Sequence, residues 1–375
     1  MDGRDTMTRD VVHEMTKITL CIDELTTGGA QRVLLFLGRE LVKRGHCVDL
    51  VVLSDTGALF SQVDGKITVV NLATMSGSKG GPWVALTSLF KLSKYLRKTK
   101  PHGVLSTITG SNLLSVVAWF LGGRPGRLVL REATSLKNVS SKWRLFLMSF
   151  LYKRADAVIA LTSTHATELA QALSLNKSKL TVIGNPIDSE FLEKGLSGAD
   201  RDFVKSFSPY IVAVGRLTEA KDFSSLIRAY SFLSHLEGFP KLVIVGDGPK
   251  WSELERLISD LSLQKAVFLV GHYDSPAGWY ANAEGFALTS LWEGYPNALL
   301  EALYFHLPVL ITRYDKSVEE IISALNLQSF EVAEPANPRD IARALIALWE
   351  KTSRNSVSVF SNGVIDAYEA ALLGS

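Results

Sequence analysis

Cysteine is scarce in this chain. Only Cys21 and Cys47 occur among 375 residues. Both have apolar, strand-like neighbours, so the pattern predicts two buried thiols and no disulfide framework, which suits a reducing compartment. Long apolar runs are missing too. The longest, near residues 113–121 and 145–152, fall short of the roughly 20 residues that cross a bilayer. Residues 1–16 are mixed and polar, with no apolar core, which argues against a secretory signal peptide. The seven histidines form no H-E-x-x-H pattern, and neither a Walker A motif nor a G-x-G-x-x-G fingerprint follows a strand. The one D-x-D string, Asp200-Arg201-Asp202, lies in a polar stretch and reads as a solvated linker rather than a metal site. Zinc-finger spacing is absent, and no nucleic-acid partner is expected.

Acid is nearly missing from one long stretch. Residues 66–154 hold 15 Lys and Arg against a single acid, Glu132. The net charge of +2 therefore hides an asymmetry: residues 1–190 carry 24 basic and 15 acidic side chains, residues 191–375 carry 16 and 23. Such a field attracts anionic surfaces or substrates, a solvated basic face being the alternative. Two series within it mix cations with large apolar groups. The first holds Trp83, Lys91, Lys94, Tyr95, Arg97, Lys98 and Lys100. The second holds Lys137, Lys142, Trp143, Arg144, Phe146, Phe150, Tyr152, Lys153 and Arg154, on a helix expected over about 139–153. That helix either lies on an anionic membrane or packs on a sheet as an ordinary amphipathic helix.

What is present is an α/β pattern. Hydrophobic content of 47% with 21% charge marks a globular chain, and the length predicts two domains. Lys17–Ile22 reads as a buried strand, 23–30 as a loop with Gly28-Gly29, Gln31–Arg44 as a helix and Val48–Leu53 as the next strand. Strands follow at Gly103–Ser106, Arg127–Leu130, Ala157–Ala160 and Leu180–Ile183, separated by helical stretches. Asn185-Pro186 closes the series, and polar 190–207 is expected to be the hinge. A second series starts at Tyr210–Val214 and runs through Lys241–Val245, Val267–Val270, Phe286–Leu288 and Val309–Ile311. The last 35 residues look helical and are expected to pack back across the hinge. Alternation of this kind implies right-handed βαβ crossovers and doubly wound parallel sheets. The expected organisation is 1–190 as one Rossmann-like domain, 191–355 as a second and 356–375 as a returning helix.

The chemistry-bearing residues crowd into 216–301. Arg216 and Lys221 follow Gly215 at the end of a strand, offering a planar fork and a point charge that can clamp two phosphates. Gly246-Asp247-Gly248-Pro249 reads as a tight turn feeding a helix at about 250–261, with the proline in its first turn. Its glycines either let backbone approach a ligand or serve the turn alone. Glu293, Gly294, Tyr295, Pro296, Asn297 and Ala298 lead into a helix that contains Glu301. Unpaired N–H groups at that helix start suit phosphate or sugar oxygens. The two carboxylates suit ribose and hexose hydroxyls. In the first half, Arg131-Glu132 follows a strand and reads equally as a cleft pair or a surface salt bridge.

These stretches, taken together, resemble the large family of retaining glycosyltransferases of the two-domain GT-B fold known as family 4. The resemblance rests on Val214-Gly215-Arg216-Leu217 with Lys221, the Gly246–Pro249 turn, Glu293-Gly294-Tyr295-Pro296-Asn297 with Glu301, and Gly28-Gly29-Ala30-Gln31-Arg32. It implies two Rossmann-like domains facing a central cleft, with Arg216 and Lys221 on the donor diphosphate, Glu301 on the ribose and Glu293 near the transferred sugar. Gly28 and Gly29 would let the first loop approach the diphosphate. The resemblance implies a UDP- or GDP-sugar donor with no metal or other cofactor, UDP-N-acetylhexosamine being preferred, and a polyprenyl-diphosphate saccharide acceptor met by a peripheral enzyme at the cytoplasmic face of the plasma membrane. A soluble acceptor, or a silent sugar-nucleotide-binding or scaffold protein, are the rival readings. Two departures stand out. His306 occupies a position where many members have Gly, and is read as a packing residue. Ser106–Asn112 also lacks the histidine that many members carry near the acceptor.

Overall fold

A computed structural model describes residues 16–374 except 27, 55–56, 73–81, 135, 137–140, 199–200, 352–354 and 356–361. Lys137 and Asp200 therefore lie outside the described residues.

The first sheet is built from β1 (Lys17–Ile22), β2 (Cys47–Val52), β3 (Thr68–Asn71), β4 (Gly103–Thr107), β5 (Arg127–Arg131), β6 (Ala157–Ala160) and β7 (Leu180–Val182). Its order is β3-β2-β1-β4-β5-β6-β7. Helices α1 (Gly29–Lys43), α2 (Pro82–Thr99), α3 (Thr109–Leu121), α4 (Lys142–Leu151) and α5 (Ser163–Leu173) make the crossovers. β1 is buried along nearly its whole length, as expected of a strand covered on both faces. β3 escapes the sequence pattern because its four residues are mostly exposed at the sheet edge.

Two thiol expectations separate here. Cys21 is fully buried in β1, but Cys47 is exposed. Cys47 opens β2, where the strand has only begun to enter the sheet. Arg131 and Glu132 are also corrected: both are buried, at 1% and 0% exposure, which excludes a surface salt bridge. Arg131 donates to Thr107 Oγ1 and to Tyr368 Oη, each at 2.9 Å. Glu132 accepts from Thr109 Oγ1 at 3.0 Å and from Tyr152 Oη at 2.5 Å. A buried charge needs such partners, and the strand-end pair has them within the first unit.

The stretch read as a hinge is helical. α6 (Ser189–Gly198) and α7 (Arg201–Lys205) occupy it. α6 puts Leu192 into an apolar cluster with Ile187, Ala277 and Leu300, flanked by Phe191 and Leu196. Apolar residues at helical spacing, thinly spread among charges, hide that face from a reading of polarity alone.

The second sheet holds β8 (Tyr210–Val214), β9 (Lys241–Val245), β10 (Val267–Gly271), β11 (Gly285–Leu288), β12 (Val309–Thr312) and β13 (Phe330–Ala333), ordered β10-β9-β8-β11-β12-β13 and parallel throughout. Its helices are α8 (Phe223–Tyr230), α9 (Trp251–Asp260), α10 (Ala277–Ala281), α11 (Asn297–Tyr304), α12 (Ser317–Ala324) and α13 (Pro338–Trp349). Alternate residues of β8 feed opposite cores. Ile211 and Ala213 join α8, α9 and α13, while Tyr210 and Val212 join α10, α11 and α12. α9 begins at Trp251, so Pro249 precedes the helix and belongs to the turn instead.

The last helix, α14 (Asn362–Leu373), belongs from Ile365 onward to the same compact unit as β1–β5. The second compact unit comprises Ala133–Leu145 and Ala160–Val364.

Candidate active site

The second sheet reverses its strand order between β8 and β11, each beginning a run outward in the opposite direction. Ligands of open α/β sheets bind at such a switch point, beyond the carboxyl ends of the strands. Arg216 and Lys221 follow β8, and Glu293 follows β11, so both loops flank that point.

Lys221 and Glu293 meet there. Lys221 Nζ lies 2.5 Å from Glu293 Oε1, with side-chain exposures of 18% and 13%. Ser290 Oγ donates to the same carboxylate oxygen at 2.6 Å. The turn that carries Lys221 is held by its backbone. Leu291 N donates to the Ala220 carbonyl at 2.8 Å, and Thr289 Oγ1 donates to the Lys221 carbonyl at 3.0 Å. The Lys221 stem runs over Gly215, where an added Cβ would stand 3.0 Å from Cε. Asp222 adopts φ 44°, a left-handed conformation that Asp tolerates, and its Oδ1 accepts from Ser225 N at 3.2 Å to cap α8. Burial raises the Asp222 carboxyl above its ordinary value. Burial together with the Glu293 charge pushes the Tyr314 phenol up. Arg216 is exposed beside the same loop.

The Gly246–Pro249 turn packs on the β8 loop. Gly246 has φ 150°, and an added Cβ would fall 1.9 Å from the Gly215 carbonyl oxygen. Leu217 N donates to the Asp247 carbonyl at 3.0 Å, and Lys250 N to the Leu217 carbonyl at 3.1 Å. Glycine here permits backbone to approach backbone.

Glu301 sits in the second turn of α11 and accepts from Tyr280 Oη at 3.1 Å. Tyr280, fully buried in α10, also has its Oη 3.2 Å from the Ala298 carbonyl, so its one O–H proton is shared between the two acceptors, and its ring stacks on Phe305. The N-cap of α11 is Pro296, which supplies no side-chain cap. Asn297 Oδ1 accepts from Asn185 Nδ2 at 2.6 Å. Gly294 and Tyr295 lead into this start, and Tyr295 packs against buried residues of the second core. Gly28 and Gly29 stand at the start of α1 in the first unit. Sequence reading missed Thr289, Ser290 and Tyr280. The hydroxyl doublet closing the apolar run Gly285–Leu288 was the available signal for the first two; Tyr280 carried none. Among the described residues no group of three or more His, Cys, Asp or Glu is placed to hold a metal ion.

Comparison with known proteins places this geometry. A family model for Glycosyltransferase Family 4 matches residues 27–191, and one for Glycosyl transferases group 1 matches 208–351. The Amylovoran biosynthesis glycosyltransferase AmsD of Erwinia amylovora is 30% identical over 312 residues, covering 82% of this chain and 84% of the relative. The chain belongs to glycosyltransferase family 4. A second relative is the N-acetylgalactosamine-N,N'-diacetylbacillosaminyl-diphospho-undecaprenol 4-alpha-N-acetylgalactosaminyltransferase of Campylobacter jejuni. It is 28% identical over 320 residues, covering 82% of this chain and 83% of its own. Among solved structures, Anabaena Alr3699/HepE in complex with UDP and glucose superposes with a TM-score of 0.74 at 19% identity, over 90% of each chain. That likeness shows the fold, and family 4 membership makes this chain a GT-B glycosyltransferase with two Rossmann-like domains.

Proposed function

We propose that this transferase moves a hexose or N-acetylhexosamine from a UDP-sugar to a polyprenyl-diphosphate-linked saccharide during surface glycan assembly, with retention of anomeric configuration. The observation that carries the reading is the cluster at the β8/β11 switch point: Arg216, Lys221 and Glu293 beside the start of α11. Arg216 and Lys221 would take the diphosphate, with the N–H groups of Asn297 and Ala298 adding donors. Glu301 would accept from ribose hydroxyls and Glu293 from the sugar. Gly294, Tyr295 and Pro296 would line the donor.

In the proposed reaction the anomeric carbon–oxygen bond breaks and leaves its electron pair on the diphosphate. The acceptor hydroxyl attacks the same face. Its proton passes to the departing diphosphate oxygen, so no protein nucleophile is consumed. The acceptor class is supported by the diphospho-undecaprenol in the Campylobacter relative's name, and a part in glycan assembly by the Erwinia relative's place in amylovoran biosynthesis.

Membrane attachment is proposed at the surface. No helix among the described residues is long and apolar enough to cross a membrane. Instead α2 exposes Trp83 (79%) and Phe90 (60%), and α4 exposes Trp143 (74%) and Phe146 (58%), among exposed Lys91, Lys94, Arg97, Lys142 and Arg144. Indole and phenyl groups among cations suit the interface of an anionic leaflet, here the cytoplasmic face of the plasma membrane. Replacing Lys142, Arg144, Lys153 and Arg154 by Gln should abolish sedimentation with phosphatidylglycerol vesicles; unchanged binding would exclude this surface.

The decisive experiment is a panel of nucleotide sugars read by nucleotide release, with and without lipid-extracted acceptors. Release that depends on UDP-sugar and lipid-diphosphate acceptor is expected. Release onto water-soluble acceptors alone would replace the lipid-linked substrate, and UDP binding without any release would make the chain a silent binder.

A further inference from the structure

We infer that Glu293 is the resident counter-ion of Lys221, and that the donor's diphosphate takes its place, freeing the carboxylate for the sugar. The inference rests on the reading that Lys221 binds the diphosphate.

The Lys221 side chain is largely withdrawn from water, at 18% exposure. A cation so placed needs an anion or hydrogen-bond acceptor close by. In this structure Glu293 supplies it at 2.5 Å. The surroundings allow a change of partner without moving the loop. The carbonyls of Ala220 and Lys221 are tied to the β11 loop by Leu291 N and Thr289 Oγ1. The Lys221 stem lies along Gly215. What remains adjustable is the ammonium head. On the other side, Ser290, fully buried, holds Glu293 Oε1 at 2.6 Å. The carboxylate therefore keeps one partner when the lysine leaves.

Electrostatics gives the exchange its direction. A diphosphate carries more negative charge than one carboxylate and offers several oxygens, so it is the stronger partner for an ammonium in a low-dielectric site. A carboxylate and a diphosphate cannot share that ammonium at close range without like-charge repulsion. Glu293 must turn from Lys221 as the donor seats, and the donor's sugar hydroxyls are hydrogen-bond donors a carboxylate can accept. After transfer, recapture of Lys221 by Glu293 competes with the nucleotide diphosphate and favours its release. Glu293 thus costs binding of nucleotide alone while serving the sugar.

The test is a double-mutant cycle on UDP affinity, measured calorimetrically at fixed salt with the full chain: wild type, Glu293→Gln, Lys221→Met and both together. Lys221→Met keeps an unbranched stem over Gly215, and thermal melts verify that each variant is folded. Glu293→Gln alone should bind UDP more tightly, on the order of tenfold, while sugar transfer falls. In the Lys221→Met background the same change should leave UDP affinity nearly unaltered. Equal tightening in both backgrounds would reduce Glu293 to a through-space charge and overturn the exchange. Unchanged or weaker UDP binding by Glu293→Gln would overturn it too. If Lys221→Met alone leaves UDP affinity intact, the failure lies in assigning Lys221 to the diphosphate, and the inference falls with it.

Discussion

Arg216 and Lys221 carry the same charge in different settings. Arg216 is exposed, free to close on a ligand from solvent. Lys221 is half-buried and ion-paired before any ligand arrives. A guanidinium can bridge two phosphate oxygens as a planar fork, which an ammonium cannot. Arg216→Lys should therefore lower kcat/KM for the donor by about tenfold, and Arg216→Ala by roughly 10²-fold, in steady-state nucleotide release. Both should melt as wild type does, since the side chain is exposed. The two thiols divide by burial in the same way. Cys21 is pushed up to about 12 by desolvation, which a hydrogen bond with Ser115 only partly offsets. The thiolate is the reactive form. Iodoacetamide at neutral pH should thus modify Cys47 alone, and peptide mapping would show one labelled site.

Two helices of the site are fixed by residues in left-handed conformations. Asp222 starts α8 with φ 44° and caps it. Asp222→Ala loses both functions and should destabilise the fold by about 1–3 kcal/mol. Asp222→Asn keeps the cap and tolerates the conformation, so its denaturation midpoint should stay near wild type. His306 ends α11 with φ 60°. Its N–H donates to the Leu303 carbonyl at 2.9 Å, and Leu307 N to that of Ala302 at 3.1 Å, closing the helix in a Schellman turn. Glycine takes this conformation without steric cost. His306→Gly should hold stability, relief of the left-handed strain offsetting the lost contact of Nδ1 with the Asn355 carbonyl at 3.0 Å. His306→Val should lower the melting temperature, because a β-branched residue is strained at positive φ.

At the scale of the whole molecule, the chain's end is anchored in the first unit. On α14, Glu369 pairs with Arg44 and accepts from or shares a proton with His46 Nε2 at 2.9 Å, while Arg44 also reaches Asp366 at 2.6 Å. Arg127 Nε donates to the Ala371 carbonyl at 2.7 Å, and Tyr368 takes the Arg131 hydrogen bond. Burial alone would raise the Glu369 carboxyl, but the Arg44 and His46 partners outweigh it and hold the group below its ordinary value. A lowered carboxyl stabilises the fold above its unfolded pKa, and that contribution disappears as pH falls through the folded value. Thermal unfolding should therefore show wild type above Glu369→Gln at about pH 6, with the gap closing towards about pH 3. A gap that stays constant would mean the carboxylate charge adds nothing.

Buried strands were legible from their side chains because a doubly covered strand must be apolar throughout. Lys17–Ile22, Ala157–Ala160, Tyr210–Val214 and Lys241–Val245 were read with their observed bounds. The helix around Glu301 was legible for a related reason, a proline before an apolar helical repeat. Exposed β3 and the thinly apolar α6 were not, since an edge strand or a half-polar helix leaves too little periodic signal. Local chain chemistry likewise determined which residue types were available at the switch point: two cations, a glycine turn and two carboxylates. Only the tertiary structure decided their partners. Lys221 and Glu293 are 72 positions apart, and parallel strands β8 and β11, paired across the switch, bring their loops together. The burial of Arg131, Glu132 and Glu369 depends on long-range packing within the first unit, which no local pattern encodes.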